Sequence, residues 1–140
     1  MALRPFFLAD TSALARLSRP EVSERLVPLL TDGLVARCAI TDLEAGYSSP
    51  SPATHRSLRA SRSAWPQAPM DQAVMNRAVA VQDALAQRSQ QRGVKIADLL
   101  IAAAAEAAGL EVLHYDHDFD VIAAVTGQRT RWVVPPGTVP

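Results

Sequence analysis

Five acids stand where carboxylates can do chemistry. Asp10 closes the short apolar run Phe6 to Ala9, and Asp116 closes the run LEVLHY, so each ends a predicted buried strand. Glu44 lies just inside a helix, TDLEAGYS, that follows the β-like run LVARCAI. Asp98 interrupts the apolar helix KIADLLIAAAAEAAG, and Asp118 comes two residues after Asp116. In an open parallel sheet, ligands bind at the carboxyl ends of the strands. Asp10 and Asp116 belong at that edge, and the helix starts that bear Glu44 and Asp98 reach it. Two unit charges about 4 Å apart repel by roughly 4 kcal/mol at an effective dielectric near 20, so gathered carboxylates need protons or a cation. A hard divalent ion such as magnesium, manganese or calcium takes oxygen ligands and keeps several waters.

Every one of these acids also has an ordinary structural role open to it. Asp10 can cap the helix that follows it. Glu44 can be a surface acid favoured by a helix N-terminus. Asp116 and Asp118 can be turn acids. Asp98 is harder to set aside, because burying an unpaired carboxylate costs several kcal/mol and Ile96, Leu99, Leu100 and Ile101 around it read as core. Lys95, three residues earlier, offers it an ion pair. Asp42, beside Glu44, competes for the same place.

The elements that must position these acids alternate β and α. FFLA is a strand, and TSALARLSRP a helix with Thr11 or Ser12 as cap and Pro20 as stop. EVSERLVPLLTDG is a second helix, weakened at Pro28 and ended at Gly33. LVARCAI is the next strand, and SSPSP separates the Glu44 helix from the helix ATHRSLRASRS. WPQAP is an edge strand or loop. Asp71 caps a long helix to about Arg92, with Gly93 as its stop. After the Asp98 helix come LEVLHY, the helix DFDVIAAVTG and a last strand, RWVVP. Strands apolar on both faces predict a parallel sheet covered on both sides, an α/β fold.

Composition bounds the rest. The chain has 140 residues, enough for one domain over 1–140 with a sizeable core. A hydrophobic fraction of 49% excludes a disordered tail protein. The longest apolar run, Leu99 to Ala105, is far short of the ~20 residues that span a membrane. The N-terminal stretch lacks the apolar core of a secretory signal, so a cytoplasmic protein is expected. One cysteine, Cys38, excludes an internal disulfide and a cysteine-rich zinc site, and reads as a small buried hydrophobe. Net charge is zero, yet residues 50–95 carry a net +5 from Arg56, Arg59, Arg62, Arg77, Arg88, Arg92 and Lys95 against Asp71 and Asp83. That is either a solvated helical face or a basic rim beside an acidic centre, suited to phosphate. His114 reads as a packed core histidine and His117 as a surface one. Trp65 and Tyr47 are base-stacking candidates with an ordinary core or rim alternative.

The segments LADTSAL, TDLEAGYS, ADLLIAAAA and LHYDHDFDVIA, in that order, resemble the PIN-domain ribonucleases, and specifically the VapC toxins of bacterial toxin–antitoxin pairs. The resemblance runs through WVVPPGTV at the end of the chain. It implies a three-layer α/β/α domain with a central parallel sheet. It places the family's four acids on Asp10, Glu44, Asp98 and Asp116, with Asp118 as a further acid and Ser12 as the small polar residue that supports the first. Asp10, Asp98 and Asp116 are then expected to hold Mg2+ or Mn2+, and Glu44 to be a ligand or to orient the water. The implied reaction is hydrolysis of RNA phosphodiester bonds, in tRNA or ribosomal RNA, leaving a 5′-phosphate and a 3′-hydroxyl. Arg56, Arg59, Arg62 and Lys95 are the candidate phosphate contacts. The implied partners are RNA, a VapB-type antitoxin and a second copy of the chain, with a heterotetramer or larger assembly when antitoxin is bound, and no membrane.

Two other functions remain open on sequence. A receiver-like signalling domain also gathers acids around magnesium, but here Asp98 is on a helix and no lysine follows Asp116. A non-catalytic scaffold of the same fold usually lacks one or more of the acids, and here all are present.

Overall fold

The computed structural model describes residues 4–140, so residues 1–3 of the expected domain lie outside the described part. The elements are β1 (Phe7–Ala9), α1 (Thr11–Leu14), α2 (Pro20–Thr31), β2 (Val35–Ala36), α3 (Ala39–Tyr47), α4 (Pro52–Arg62), α5 (Gln72–Ala86), α6 (Ile96–Ala107), β3 (Glu111–His114), α7 (Asp118–Thr126) and β4 (Thr130–Trp132). The strands form one parallel sheet in the order β2-β1-β3-β4. Leu8 is level with Ala36 on one side and Val112 on the other.

Successive strand residues point to opposite faces, and two separate cores follow from that alternation. Leu8, Ala36 and Val112 face a core built with α5, α6 and α7, in which Leu85, Ile101, Phe119 and Ile122 are fully buried. Ala9, Val35 and Leu113 face the other way, against Ala13, Val22 and Leu26 of α1 and α2 and against Val133 and Val134 after β4. Each fully buried Leu, Ile or Phe contributes roughly 1.5–3 kcal/mol from water exclusion. The result is the expected α/β/α layering about a parallel sheet.

The winding fixes where a ligand can sit. From β1 the chain runs through α1 and α2 to β2 on one side; from β3 it runs through α7 to β4 on the other. The direction of winding therefore reverses between β1 and β3, and a crevice opens there at the strands' carboxyl ends. Asp10 and Asp116 lie just past those two ends.

Several boundaries differ from the sequence expectation. Pro20 begins α2 at the first helical position, where its missing N–H costs nothing, instead of ending α1. LVARCAI pairs with the sheet only at Val35 and Ala36. Arg37 instead exchanges backbone hydrogen bonds with Pro66 and Ala68, making WPQAP an edge segment, and Cys38 caps α3. Helix α5 starts on its Asp71 cap as expected but stops at Ala86, because Ser89 turns into the left-handed region at φ 58° and Gln90 N–H closes onto Leu85 C=O. The last strand is Thr130–Trp132, slightly earlier than RWVVP.

Candidate active site

Asp10 ends β1 and caps α1. Its Oδ2 accepts hydrogen bonds from Ser12 N at 2.9 Å and Ser12 Oγ at 2.5 Å. Ser12 Oγ also accepts from Tyr115 N at 2.8 Å, so this one hydroxyl ties the end of β1 to the end of β3. The other oxygen of Asp10, Oδ1, is buried with no hydrogen-bond partner. Burial raises the pKa of Asp10, with the Ser12 hydrogen bonds opposing and the charge of Asp116 adding to the rise.

Asp98 sits in the first turn of α6 and is only 3% exposed. Its Oδ2 is buried without a hydrogen-bond partner, 3.3 Å from the Lys95 ammonium. Burial first, then a hydrogen bond shared with Asp118 and the charge of Asp10, push its carboxyl up to about 8. Among the described residues, Asp98, Asp116 and Asp118 each bring an oxygen within 4.8 Å of the other two. Asp116 caps the turn into α7, its Oδ1 accepting from Asp118 N at 2.9 Å. Asp118 in turn accepts from Lys95 N at 3.0 Å, which pins the start of α6 to the start of α7. Burial alone would raise Asp118, but the Lys95 ammonium and amide override it and hold its carboxyl below the usual range.

The tightest group thus joins Asp118 to Asp98 and Asp116, with Asp10 adjoining through Ser12 and through its charge coupling to Asp98 and Asp116. Glu44 stands outside that trio. It is half-buried on α3, and its Oε1 accepts from Thr11 Oγ1 at 2.8 Å, so residues 10–12 link it to the cluster. It opens onto a cleft of about 660 Å³, lined also by Tyr47, His55 and Arg59. Four or five hard oxygen donors, two of them with a buried oxygen that accepts no hydrogen bond, fit an Mg2+-like ion and offer nothing to a thiophilic one.

The structure separates Asp42 from Glu44. Asp42 is buried between Arg37 Nη1 at 2.6 Å and Arg62 Nε at 2.8 Å, and Arg62 also donates to Thr41 Oγ1 and lies over the Trp65 ring. Asp42 is therefore a brace between α3 and α4. Arg62, expected as a phosphate contact, is 5% exposed and committed to that brace. Lys95, expected in the same role, is bonded to the acids instead. Arg56 and Arg59 are exposed, and neither pairs with an acid among the described residues; Arg59 lines the cleft next to His55. Ile96, read as core, is 70% exposed.

His114 is fully buried, its Nδ1 accepting from Asp116 N at 3.1 Å, and burial lowers its pKa to about 4. His117 is a surface residue paired with Asp120. Cys38 is buried, which raises its thiol pKa. Two supports were not anticipated from sequence. Trp132 packs its ring on His114, Tyr115 and His117 and donates to Asp120. The Tyr115 hydroxyl donates to Val139 C=O and accepts from Gly137 and Val139 N–H. Both come from the last ten residues or touch them, a separation no local pattern reveals.

With this geometry in view, the relatives are informative. Residues 7–125 match the PIN domain family. The chain is 52% identical over 139 residues to Ribonuclease VapC51 of Mycobacterium tuberculosis, covering 99% of both chains. It is 48% identical to Ribonuclease VapC21 of the same species over 94% of this chain and 96% of that one. Its fold matches the DNA-bound VapBC structure from Salmonella typhimurium with a TM-score of 0.73 at 20% identity, covering 93% of this chain and 99% of that one. The FitAcB structure from Neisseria gonorrhoeae matches at 0.69 and 19% identity, over 91% and 98%. The chain belongs to the PIN-domain family, among the VapC ribonucleases.

Proposed function

We propose that this chain is the toxin of a toxin–antitoxin pair and acts as a divalent-metal-dependent endoribonuclease. The observation that carries the reading is the pair of buried carboxylate oxygens that accept no hydrogen bond, on Asp10 and Asp98, beside Asp116 and Asp118 at the sheet's switch point. A protein retains such a cluster against its own repulsion when a cation completes it. Its relatives are named ribonucleases, and its structural neighbours are VapBC assemblies.

Asp10, Asp98 and Asp116 would hold Mg2+ or Mn2+, with Asp118 alongside. A bound ion would supply charge to polarise the phosphodiester and to lower the pKa of a water. Ser12 keeps Asp10 aimed into the crevice. Glu44, fixed by Thr11, binds or orients the attacking water. Arg59 lines the cleft beside Glu44, and with the exposed Arg56 on the same helix it takes phosphates of the RNA through its planar fork. Attack by water on the phosphorus leaves a 5′-phosphate and a 3′-hydroxyl.

The substrate on this reading is tRNA or ribosomal RNA, and the partners are a VapB-type antitoxin and a second copy of the chain. Residues 1–140 act as one cytoplasmic domain; no helix among the described residues is long and apolar enough to cross a membrane. The test is cleavage of total bacterial RNA by antitoxin-free protein, with Mg2+ or Mn2+ and with chelator, beside Asp98→Asn. Discrete cuts that need metal and disappear in the variant are expected. No cutting together with no metal binding would retire the enzyme and leave a scaffold.

A further inference from the structure

Lys95 is the one lysine of the chain; every other of the 14 basic residues is arginine. It stands at the N-terminal cap of α6, and its ammonium lies 2.8 Å from Asp118, 2.9 Å from Asp116 and 3.3 Å from Asp98. These are the three acids whose oxygens converge within 4.8 Å. An ammonium is a compact point charge with three donors, so it can satisfy three carboxylates converging on a point, as an ion does. An arginine fork would pair with one carboxylate side-on. The Lys95 side chain is 62% exposed, whereas Asp98 beneath it is 4% exposed. Its own backbone N–H is separately bound to Asp118. The ammonium can therefore swing out to water while the main chain and the acids stay in place.

We propose that Lys95 is a tethered counter-cation: its ammonium holds the place of the divalent ion in the metal-free protein and leaves when the ion binds. This rests on the metal-dependent reading of the same cluster. It accounts for how buried acids persist in a fold that forms before metal arrives. It also makes metal affinity a net quantity, the ion's binding less the lysine's.

The test compares the wild type with Lys95→Met, which keeps the apolar stem and removes the charge. Calorimetry with Mn2+ is expected to show binding at least about tenfold tighter in the variant, about 1.4 kcal/mol. Its metal-free melting temperature is expected to fall, and its gain on adding Mn2+ to exceed that of the wild type. Equal or weaker Mn2+ binding by the folded variant would overturn the proposal. The wild type gives an independent reading. Lys95 is the sole side-chain amine, so acetylation by an N-hydroxysuccinimide ester, followed by mass spectrometry, reports on it directly. Saturating Mn2+ is expected to speed that acetylation severalfold; an unchanged or slower rate in metal-bound protein would also overturn it. If neither protein binds Mn2+, the metal reading falls and takes this one with it, whereas equal affinities sink the Lys95 proposal alone.

Discussion

Metal binding at this site is expected to expel a proton. Burial and the bond shared with Asp118 push Asp98 up to about 8, so at neutral pH this carboxyl is expected to be mostly protonated in the metal-free protein. A divalent ion needs the carboxylate. Its apparent affinity is therefore expected to rise about tenfold per pH unit from about pH 6 to about pH 8, roughly a hundredfold in all, and then level off. The folding linkage without metal runs the other way. A carboxyl raised above its unfolded value of 3.8 contributes stability that is complete below about pH 4 and is lost as pH rises through about 8. Mg2+ calorimetry in buffers of different ionisation enthalpy counts the protons directly, with about one released near pH 7. Asp98→Asn should abolish that release. Affinity that stays flat across the range, with no proton released, would refute the buried, protonated Asp98.

Three further outcomes follow from named contacts. Ser12→Ala removes the hydroxyl that joins Asp10 to Tyr115 N–H and is expected to cost about 1–2 kcal/mol in urea unfolding and to weaken Mn2+ binding. Arg62→Ala leaves Asp42 with Arg37 alone and is expected to cost about 3 kcal/mol by chemical denaturation while metal affinity holds, since the brace lies outside the acid cluster. Glu44→Gln keeps the Thr11 hydrogen bond, so unfolding is expected to shift by less than about 0.5 kcal/mol while RNA cleavage is lost. Cleavage at the wild-type rate would remove Glu44 from the proposed machinery.

The layers were legible because burial writes itself as apolar runs, and the ends of β1 and β3 because each of those two runs closes on an acid. The same signal overreached at LVARCAI. Cys38 and Ile40 are apolar because they pack into the core at the cap and first turn of α3, not because they pair in the sheet, and hydropathy cannot tell these apart. Pro20 carries both a stop and a start signal, and only packing of Val22 and Leu26 under the sheet decides for the start. Asp42 and Glu44 differ by two positions on one helix, so they point to different sides. Which side meets arginines is set by α4, twenty residues on. The relation of Lys95 to Asp98 was visible in their spacing; its bonds to Asp116 and Asp118 cross 21 and 23 residues and were not.

The latch at Tyr115 gives the acid loop a mechanical partner. Tyr115 lies between His114, at the end of β3, and Asp116, and its hydroxyl holds Gly137 and Val139, while Arg16 of the segment after α1 holds Pro140 C=O at 2.9 Å. The tail is mostly surface chain, yet opening it strips three hydrogen bonds from the residue next to a candidate ligand. Tail and acid loop should then fray as one cooperative unit, with matched amide-exchange rates for Asp116 and Val139. Tyr115→Phe would uncouple those rates, so that the protein's terminal stretch sets how long the crevice stays in its working shape.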